Sequence, residues 1–301
     1  MSFLTKLFTK KVRVVTHNGS FHADDIFAVA LLDIVHDGHI RVTRTRDENV
    51  IARGDIVVDV GMKYDAAHHR YDHHQTEGAG DRGDGIPYSG CGLIWKHFGR
   101  TIVPDFIAWS LIDIELIRQI DASDNAMQLF TSTKVADDYW DFDRILKTFN
   151  PKDRNSKQAD IEFAKAVQFV KKFLRSYFVK VADKIAFWST VEQAYAAAKD
   201  KRIVVLSEGG SWATPIIAKK EPLFVLFPTQ DKKGWVIRGV PLDKASFEVR
   251  KPLPEIWRGK KDADFISVSG VATAKFCHRT GYMAIVGNFD DAMQLVNKAL
   301  Q

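Results

Sequence analysis

The sequence predicts an α/β chain whose first half carries a parallel or mixed sheet flanked by helices. Three observations lead there. Val12–Thr16 is a β-branched run, followed by a turn through Asn18 and Gly19 and a helical pattern from Ala23 to Val35. A second apolar run, Ile56–Val60, ends at Gly61, and Ile40–Thr45 adds a strand between the two. Beyond residue 200 the pattern changes to the strand-like runs Arg202–Leu206, Pro222–Phe227 and Trp235–Val240. Strand, helix and strand in alternation give an open sheet, with chemistry expected on the loops at the carboxyl ends of its strands.

The intervening elements follow in order. Met1–Lys11, with lysines but no acid and no cleavage-site pattern, reads as a frayed terminus. Gly78–Gly85 reads as a flexible glycine-rich loop. Helical patterns cover Cys91–Phe98 and Val103–Ile120, and Ala159 to Lys199 forms one long helix or two. Asp290–Leu300 closes the chain as a helix. The expected organisation is an N-terminal domain over 1–155, a helical linker over 156–200, and a smaller α+β C-terminal domain over 201–301.

With 301 residues, 46% of them hydrophobic and 27% charged, the chain has the apolar material for packed cores and is no disordered polymer. No apolar run approaches the ~20 residues of a membrane-spanning helix, so no membrane partner is expected. Two cysteines, Cys91 and Cys277, are too few for a disulfide framework and point to a reducing, cytoplasmic setting. The net charge of +5 is modest for this length. The histidines are more telling, since eight of the ten lie between His17 and His74.

Four clusters in the first half fit a dinuclear metal centre. One is His17 to Asp25, directly after the first strand, with His17, His22, Asp24 and Asp25. Asp59 ends an otherwise apolar strand, where core packing does not explain it. Arg70-Tyr71-Asp72-His73-His74-Gln75 is the third cluster, and Asp121 with Asp124 and Asn125 the fourth. Each piece has a bland reading alone: Asp25 suits a first helical turn, Asp121 or Asp124 a helix terminus, and the histidines ordinary hydrogen bonding. Together they match two divalent ions, which take carboxylate and imidazole ligands. Asp24, Asp59 and Asp121 bring three negative charges and a bridging hydroxide a fourth, which suits in-line phosphoryl displacement. A single structural zinc would call for cysteines.

These clusters resemble the DHH phosphoesterase superfamily, whose triplet is Asp72-His73-His74 here, and within it the Myg exonuclease family (melanocyte-proliferating-gene-like). The similarity runs through Thr16–Asp24, Asp59-Val60-Gly61 with Tyr64-Asp65, His69–Gln75, Ser89–Gly99 and Ile120–Asn125. It continues through Trp235–Pro241, Leu253–Gly259 and Phe276–Arg279, nearly the whole chain. The resemblance implies a DHH-type N-terminal domain and a metal-dependent phosphodiester hydrolase, an exonuclease on RNA or short oligonucleotides that uses a two-metal-activated hydroxide. A small-nucleotide phosphatase or pyrophosphatase is the alternative within that chemistry; a non-catalytic nucleic-acid-binding protein with a structural metal site is the alternative outside it. By the same resemblance, one ion is held by His17, His22 and Asp59, and the other by Asp24, Asp59, His73 and Asp121. Asp72 orients His73, and His74 contacts the substrate phosphate. Asp25 is grouped with His74 and Asp72 as catalytic, while His278, Arg279, Arg70 and Arg250 are the expected substrate contacts, His278 and Arg279 facing the metal domain.

Two departures from the wider superfamily matter. His22 stands where most DHH enzymes place an Asp, which tilts the expected ion from Mg²⁺ toward Mn²⁺, with Co²⁺ and Zn²⁺ also open. The glycine-rich Gly-Gly-Gly-His substrate loop is missing, its region being taken by Ser269–Ala272 and Phe276–Arg279. The second half instead interleaves Arg238, Arg250, Lys251, Arg258, Lys260 and Lys261 with Trp235, Phe247 and Trp257. Cations beside aromatic faces can hold single-stranded nucleic acid, or be a solvated face over core tryptophans. Homo-oligomerisation is left open.

Overall fold

The computed structural model describes residues 10–127, 140–243 and 248–301. Phe247 and most of Met1–Lys11 lie outside them. The chain divides into two units, Met1–Val181 and Ala182–Gln301.

The first unit begins with β1 (Val12–Thr16), α1 (Ala23–Val35), β2 (Ile40–Arg44), α2 (Glu48–Ala52) and β3 (Ile56–Val58). The short β4 (Tyr64–Asp65) and β5 (Arg70–Tyr71) follow. Together the five strands make a mixed sheet in the order β2-β1-β3-β5-β4. β2, β1, β3 and β5 run parallel, and only β4 is antiparallel to its neighbour. The chain moves from β1 to β2 on one side and then to β3 on the other, so the order reverses at β1. In open sheets of this kind the carboxyl ends of the strands diverge at the reversal and leave a crevice. His17, Asp59 and Asp72 are the first residues past β1, β3 and β5, so the topology alone brings them to one edge.

α1 is a central helix. Ile26 through Leu32 are wholly inaccessible, and even Asp24, Asp25 and Asp33 are buried. A helix apolar on all faces must be covered on all faces. The sheet covers α1 on one side and α3 (Gly90–Ile102) on another, while Phe27 packs edge-on against Phe142 at 5.2 Å.

The helical pattern of Val103–Ile120 is interrupted in the structure. Pro104 stops α3, and Asp105 starts α4 (Phe106–Ile112) by accepting the Ala108 N–H at 2.8 Å. A π-helical turn, Asp113–Ile117, then leads into α5 (Arg118–Asp124). β3 is also shorter than its apolar run: the Asp59 N–H still bonds the Tyr71 carbonyl at 3.1 Å, but its left-handed φ of 56° turns the chain away beyond that point. The segment Gly78–Gly85 is pinned rather than loose. Arg82, with a side chain only 6% exposed, donates to Asp121 at 2.6 Å and to Asp113 at 2.5 Å and lies over the Tyr88 ring.

After α6 (Phe142–Lys147), the long segment forms one continuous helix, α7 (Lys157–Ala197). Its first part belongs to the first unit and its last part to the second. The second unit holds β6 (Ile203–Val205), α8 (Ala213–Ile217), β7 (Phe224–Pro228), β8 (Trp235–Gly239), α9 (Asp262–Ser269), β9 (Ala274–Cys277), β10 (Met283–Val286) and α10 (Phe289–Leu300). Its sheet runs β6-β7-β8-β10-β9, with only the β6–β7 pair parallel. Phe224, Leu226, Ile237, Ala284 and Val286 pack on one face with Phe265 and Leu295, and Val191, Val204, Trp212, Ile216 and Val225 on the other. The architecture is therefore α/β, with two five-stranded mixed sheets flanked by helices. Among the described residues no helix is long and apolar enough to cross a membrane.

Candidate metal centre

Asp59 is the hub of the cluster at the strand ends. Its left-handed backbone turns a buried carboxylate back across the edge of the sheet. Oδ2 lies 3.2 Å from His17 Nε2, and Oδ1 lies 3.4 Å from His73 Nε2. Burial opposes its ionisation, but the adjacent imidazoles of His17 and His73 hold its pKa well below the usual carboxylate range.

His17 is nearly inaccessible. Its Nδ1 lies 3.0 Å from the Asn18 carbonyl, and its Nε2 faces Asp25 at 3.3 Å as well as Asp59. Burial disfavours the imidazolium, yet the bond to Asp59 and the charges of Asp25 and Asp59 prevail and raise its pKa to about 9. Asp25 sits beneath the loop, accepting the His22 N–H at 2.8 Å, and burial pushes its carboxyl up to about 7. His22 lines the cleft with its ring 5.9 Å from that of His17. Its pKa is lowered by burial and by the neighbouring His17.

Asp24, in the first turn of α1, reaches the N-terminal end of α3. Its carboxylate accepts from Ser89 Oγ at 2.5 Å, Cys91 N at 2.6 Å and Gly90 N at 3.1 Å. A side chain on Gly90 would press on Asp24, Val58 and Asp59, so glycine lets this helix end approach the strand edge. Burial, with Asp59 and Asp124 nearby, raises the Asp24 pKa strongly.

Asp72 organises the third loop. Its carboxylate accepts from the N–H groups of Met62 (2.6 Å), His73 (2.8 Å) and His74 (3.2 Å), and from His74 Nδ1 at 2.7 Å. Its side-chain bond therefore goes to His74, while His73 is held through its backbone. The bond to Asp72 raises the His74 pKa, and the His74 side chain is half exposed.

Two triads bring possible ligand atoms within 4.8 Å of one another: Asp59, His73 and His74; and Asp24, His73 and Asp124. The sequence reading put Asp121 in this set. In the structure Asp121 instead receives Arg82 Nε at 2.6 Å and the Ser89 N–H at 3.2 Å, while Asp124 Oδ2 lies 3.1 Å from His73 Nε2. The two carboxylates are one helical turn apart, and Gly92 decides between them, since a Cβ there would collide with the Asp121 carboxylate packed against α3. Arg82 escaped the sequence reading, and Ser89 entered it only as the start of a similar segment, although it precedes a run of small residues as a helix N-cap would.

Three atoms test whether the site suits a cation. Asp25 Oδ2, Asp59 Oδ1 and His73 Nε2 are all buried without a hydrogen-bond partner. Buried polar atoms are ordinarily satisfied, and imidazole with carboxylate is the donor set of a divalent ion. The residues fit. His17, His22, Asp59, His73, His74 and Asp124 border a cleft of about 970 Å³ whose rim includes Arg46, Asn125 and Asn155.

Of the expected substrate contacts, Arg70 lies outside that rim, with its guanidinium on the carbonyls of His68 (3.1 Å) and Ala52 (3.4 Å). Arg250 is engaged by the carbonyls of Ile217 (2.7 Å), Lys219 (2.6 Å) and Pro222 (3.1 Å), which end α8. His278, partly exposed, bonds Thr280 Oγ1 at 2.9 Å, and Arg279 is exposed.

Comparison with known proteins decides the family. Residues 13–300 match the family model MYG1_exonuc, described as "Uncharacterised protein family (UPF0160)". The chain belongs to the MYG1 exonuclease family. A MYG1 protein of Schizosaccharomyces pombe is 28% identical over 96% of this chain and 97% of its own length. MYG1 exonuclease of Mus musculus is 30% identical, covering 90% of this chain and 80% of its own. MYG1 exonuclease of Homo sapiens is also 30% identical, over 90% and 81%. Every residue of the cluster lies within the span matched to the MYG1 family.

Proposed function

We propose that this MYG1-family chain is a metal-dependent phosphodiester hydrolase, an exonuclease acting on RNA or short oligonucleotides. The observation that carries the reading is the convergence of His17, Asp24, Asp59, His73 and Asp124 on one crevice, with buried ligand atoms unpartnered. The names of the mouse and human relatives support the nuclease class. His17, His22 and Asp59 would hold one cation, and Asp24, Asp59, His73 and Asp124 the other, so that Asp59 bridges. Bound divalent cations supply charge neutralisation at a phosphate and a more acidic attacking water.

The chain's own groups then do the following. Asp25 fixes the first loop through the His22 N–H and steadies the His17 imidazole. Asp72 accepts a hydrogen bond from His74 Nδ1–H and favours the imidazolium, whose Nε2–H at the half-exposed edge would donate to a substrate phosphate. A cleft of about 970 Å³ has room for a nucleotide or a chain end. The reading includes a cytoplasmic setting, supported by the two buried, free cysteines.

The direct test is hydrolysis of single-stranded RNA, single-stranded DNA and small phosphoesters with Mn²⁺, Mg²⁺ or EDTA. Cleavage of RNA from an end, lost in EDTA, is expected. Turnover of small phosphoesters alone would move the activity to the phosphatase class, and inactivity with every ion would refute a hydrolase. The softer ligand His22 favours Mn²⁺, so His22→Asp should raise the Mg²⁺-to-Mn²⁺ activity ratio; an unchanged ratio would dismiss that argument.

Asp124→Asn should weaken one cation by at least ~10-fold, the lower end of what losing even an outer partner costs. Asp121→Asn should chiefly lower thermal stability, because Arg82 loses one of its two carboxylate partners. Calorimetric titration together with melting curves separates the two.

The raised pKa of His17 adds a pH dependence. In the metal-free protein the imidazolium contributes stability that is complete below 6.5 and is lost as pH rises through about 9. A cation has to displace that proton, so it binds better over the same interval. The rise in melting temperature on adding Mn²⁺ should therefore grow from pH 6.5 to pH 8.5. A rise independent of pH would mean His17 is not a ligand.

A further inference from the structure

Most cations that the sequence interleaves with aromatic residues in the second unit are engaged or solvated. Arg250 is held by four carbonyls, Arg258 Nε donates to the Leu253 carbonyl at 3.0 Å, and Lys260 and Lys261 are exposed. The tryptophans also divide: Trp257 is in the core, and Trp235 packs against Phe289 at 4.8 Å. Arg238 is different. It lies on the central strand β8, opposite Val225 on one side and Met283 on the other. Its neighbour Ile237 fills the core beneath, so Arg238 faces the other side of the sheet.

There its guanidinium carbon is 4.6 Å from the Tyr282 ring centroid and 6.0 Å from that of Trp212. Nε is buried without a hydrogen-bond partner, and among the described residues no carboxylate pairs with the side chain. Burial lowers its pKa, as expected of a cation lacking a counter-ion. Aromatic faces offset only part of the cost of a half-buried, unpaired charge. The geometry asks for an anion.

The surroundings say which kind. The Tyr282 ring meets the His278 ring at 4.4 Å, and His278 lies 6.3 Å from Phe276. Arg238, Tyr282, His278 and Phe276 are all partly exposed, so one cation and three rings make a continuous run. An inorganic anion has no use for the rings, whereas successive bases stack on such a run while the phosphate meets the cation.

We propose that Arg238, Tyr282, His278 and Phe276 form a subsite for single-stranded oligonucleotide, with a phosphate on the Arg238 guanidinium and bases against the three rings. The choice of ligand rests on the nuclease reading; the subsite itself needs no metal chemistry. The test is binding of a fluorescently labelled single-stranded RNA to the full-length chain in EDTA, where no hydrolysis intervenes, as a function of salt. Arg238→Gln should weaken binding on the order of tenfold and reduce the slope of log affinity against log salt by about 0.7, the share of one phosphate contact on a single strand. Arg238→Lys should keep the slope, and Tyr282→Leu should weaken binding on the order of tenfold while leaving it intact. Equal affinity and slope for Arg238→Gln and the wild type would overturn the subsite, as would failure of the wild type to bind the RNA. Equal competition by inorganic phosphate and by a nucleotide would overturn the part assigned to the rings. Hydrolysis in the metal assay with none of these binding effects would sink the subsite and leave the proposed activity standing.

Discussion

Asp59→Asn should weaken cation binding at both proposed positions, leaving at most one loosely held cation, and lower hydrolysis on the order of 10³-fold, the scale seen when one preorganised electrostatic group is removed from an active site. The size of the effect follows from its geometry. One oxygen faces His17 at 3.2 Å and the other faces His73 at 3.4 Å, so a single carboxylate serves both loops. The amide keeps the shape but replaces an anionic ligand with a neutral one. The fold should survive, because the positive φ of Asp59 is a conformation that Asn adopts readily. Steady-state rates with saturating Mn²⁺, beside a far-ultraviolet spectrum of the variant, make the measurement. Activity within tenfold of wild type would remove Asp59 from the centre.

Arg82→Met is the second large effect, and it falls on stability. Arg82 is the cation between Asp121, which is wholly inaccessible, and Asp113. Removing one partner of a buried ion pair strands the other charge, at a cost of ~3–5 kcal/mol. Burial already raises the Asp121 pKa, with Arg82 opposing. Without the guanidinium Asp121 takes up a proton more readily, so the deficit should be smaller at pH 5 than at pH 8. Asp121→Asn added to Arg82→Met should recover part of the loss. Denaturant unfolding at the two pH values checks this, and a loss below ~1 kcal/mol at pH 8 would contradict it. The same chain of contacts runs from Arg82 through Asp121 and Ser89 to Asp24, so weaker cation binding should accompany the lost stability.

Much of this arrangement is legible in the sequence where local pattern and tertiary need agree. β1, α1 and α10 fall where β-branched runs and helical periodicity put them. His17 and Asp59 stand out because each is a polar residue just past an apolar strand, where packing has no use for it. What is not legible depends on partners distant in the chain. β4 and β5 have two residues each, and β5 exists because it pairs in parallel with β3. The rigidity of Gly78–Gly85 comes from Arg82 reaching carboxylates more than thirty residues away, which a count of glycines conceals. Asp121 and Asp124 share a helix one turn apart, and only the bare surface of Gly92 settles which of them turns toward α3. The apolar periodicity starts the next helix at Val103, whereas Pro104 and the Asp105 cap delay it to Phe106.

Calorimetric titration of the metal-free chain with Mn²⁺, wild type beside Asp59→Asn, tests the central claim most directly. Two cations per wild-type chain and at most one weakly held cation in the variant are the predicted result. A wild-type chain that binds no cation, or a variant that binds as the wild type does, would contradict a two-cation centre bridged by Asp59.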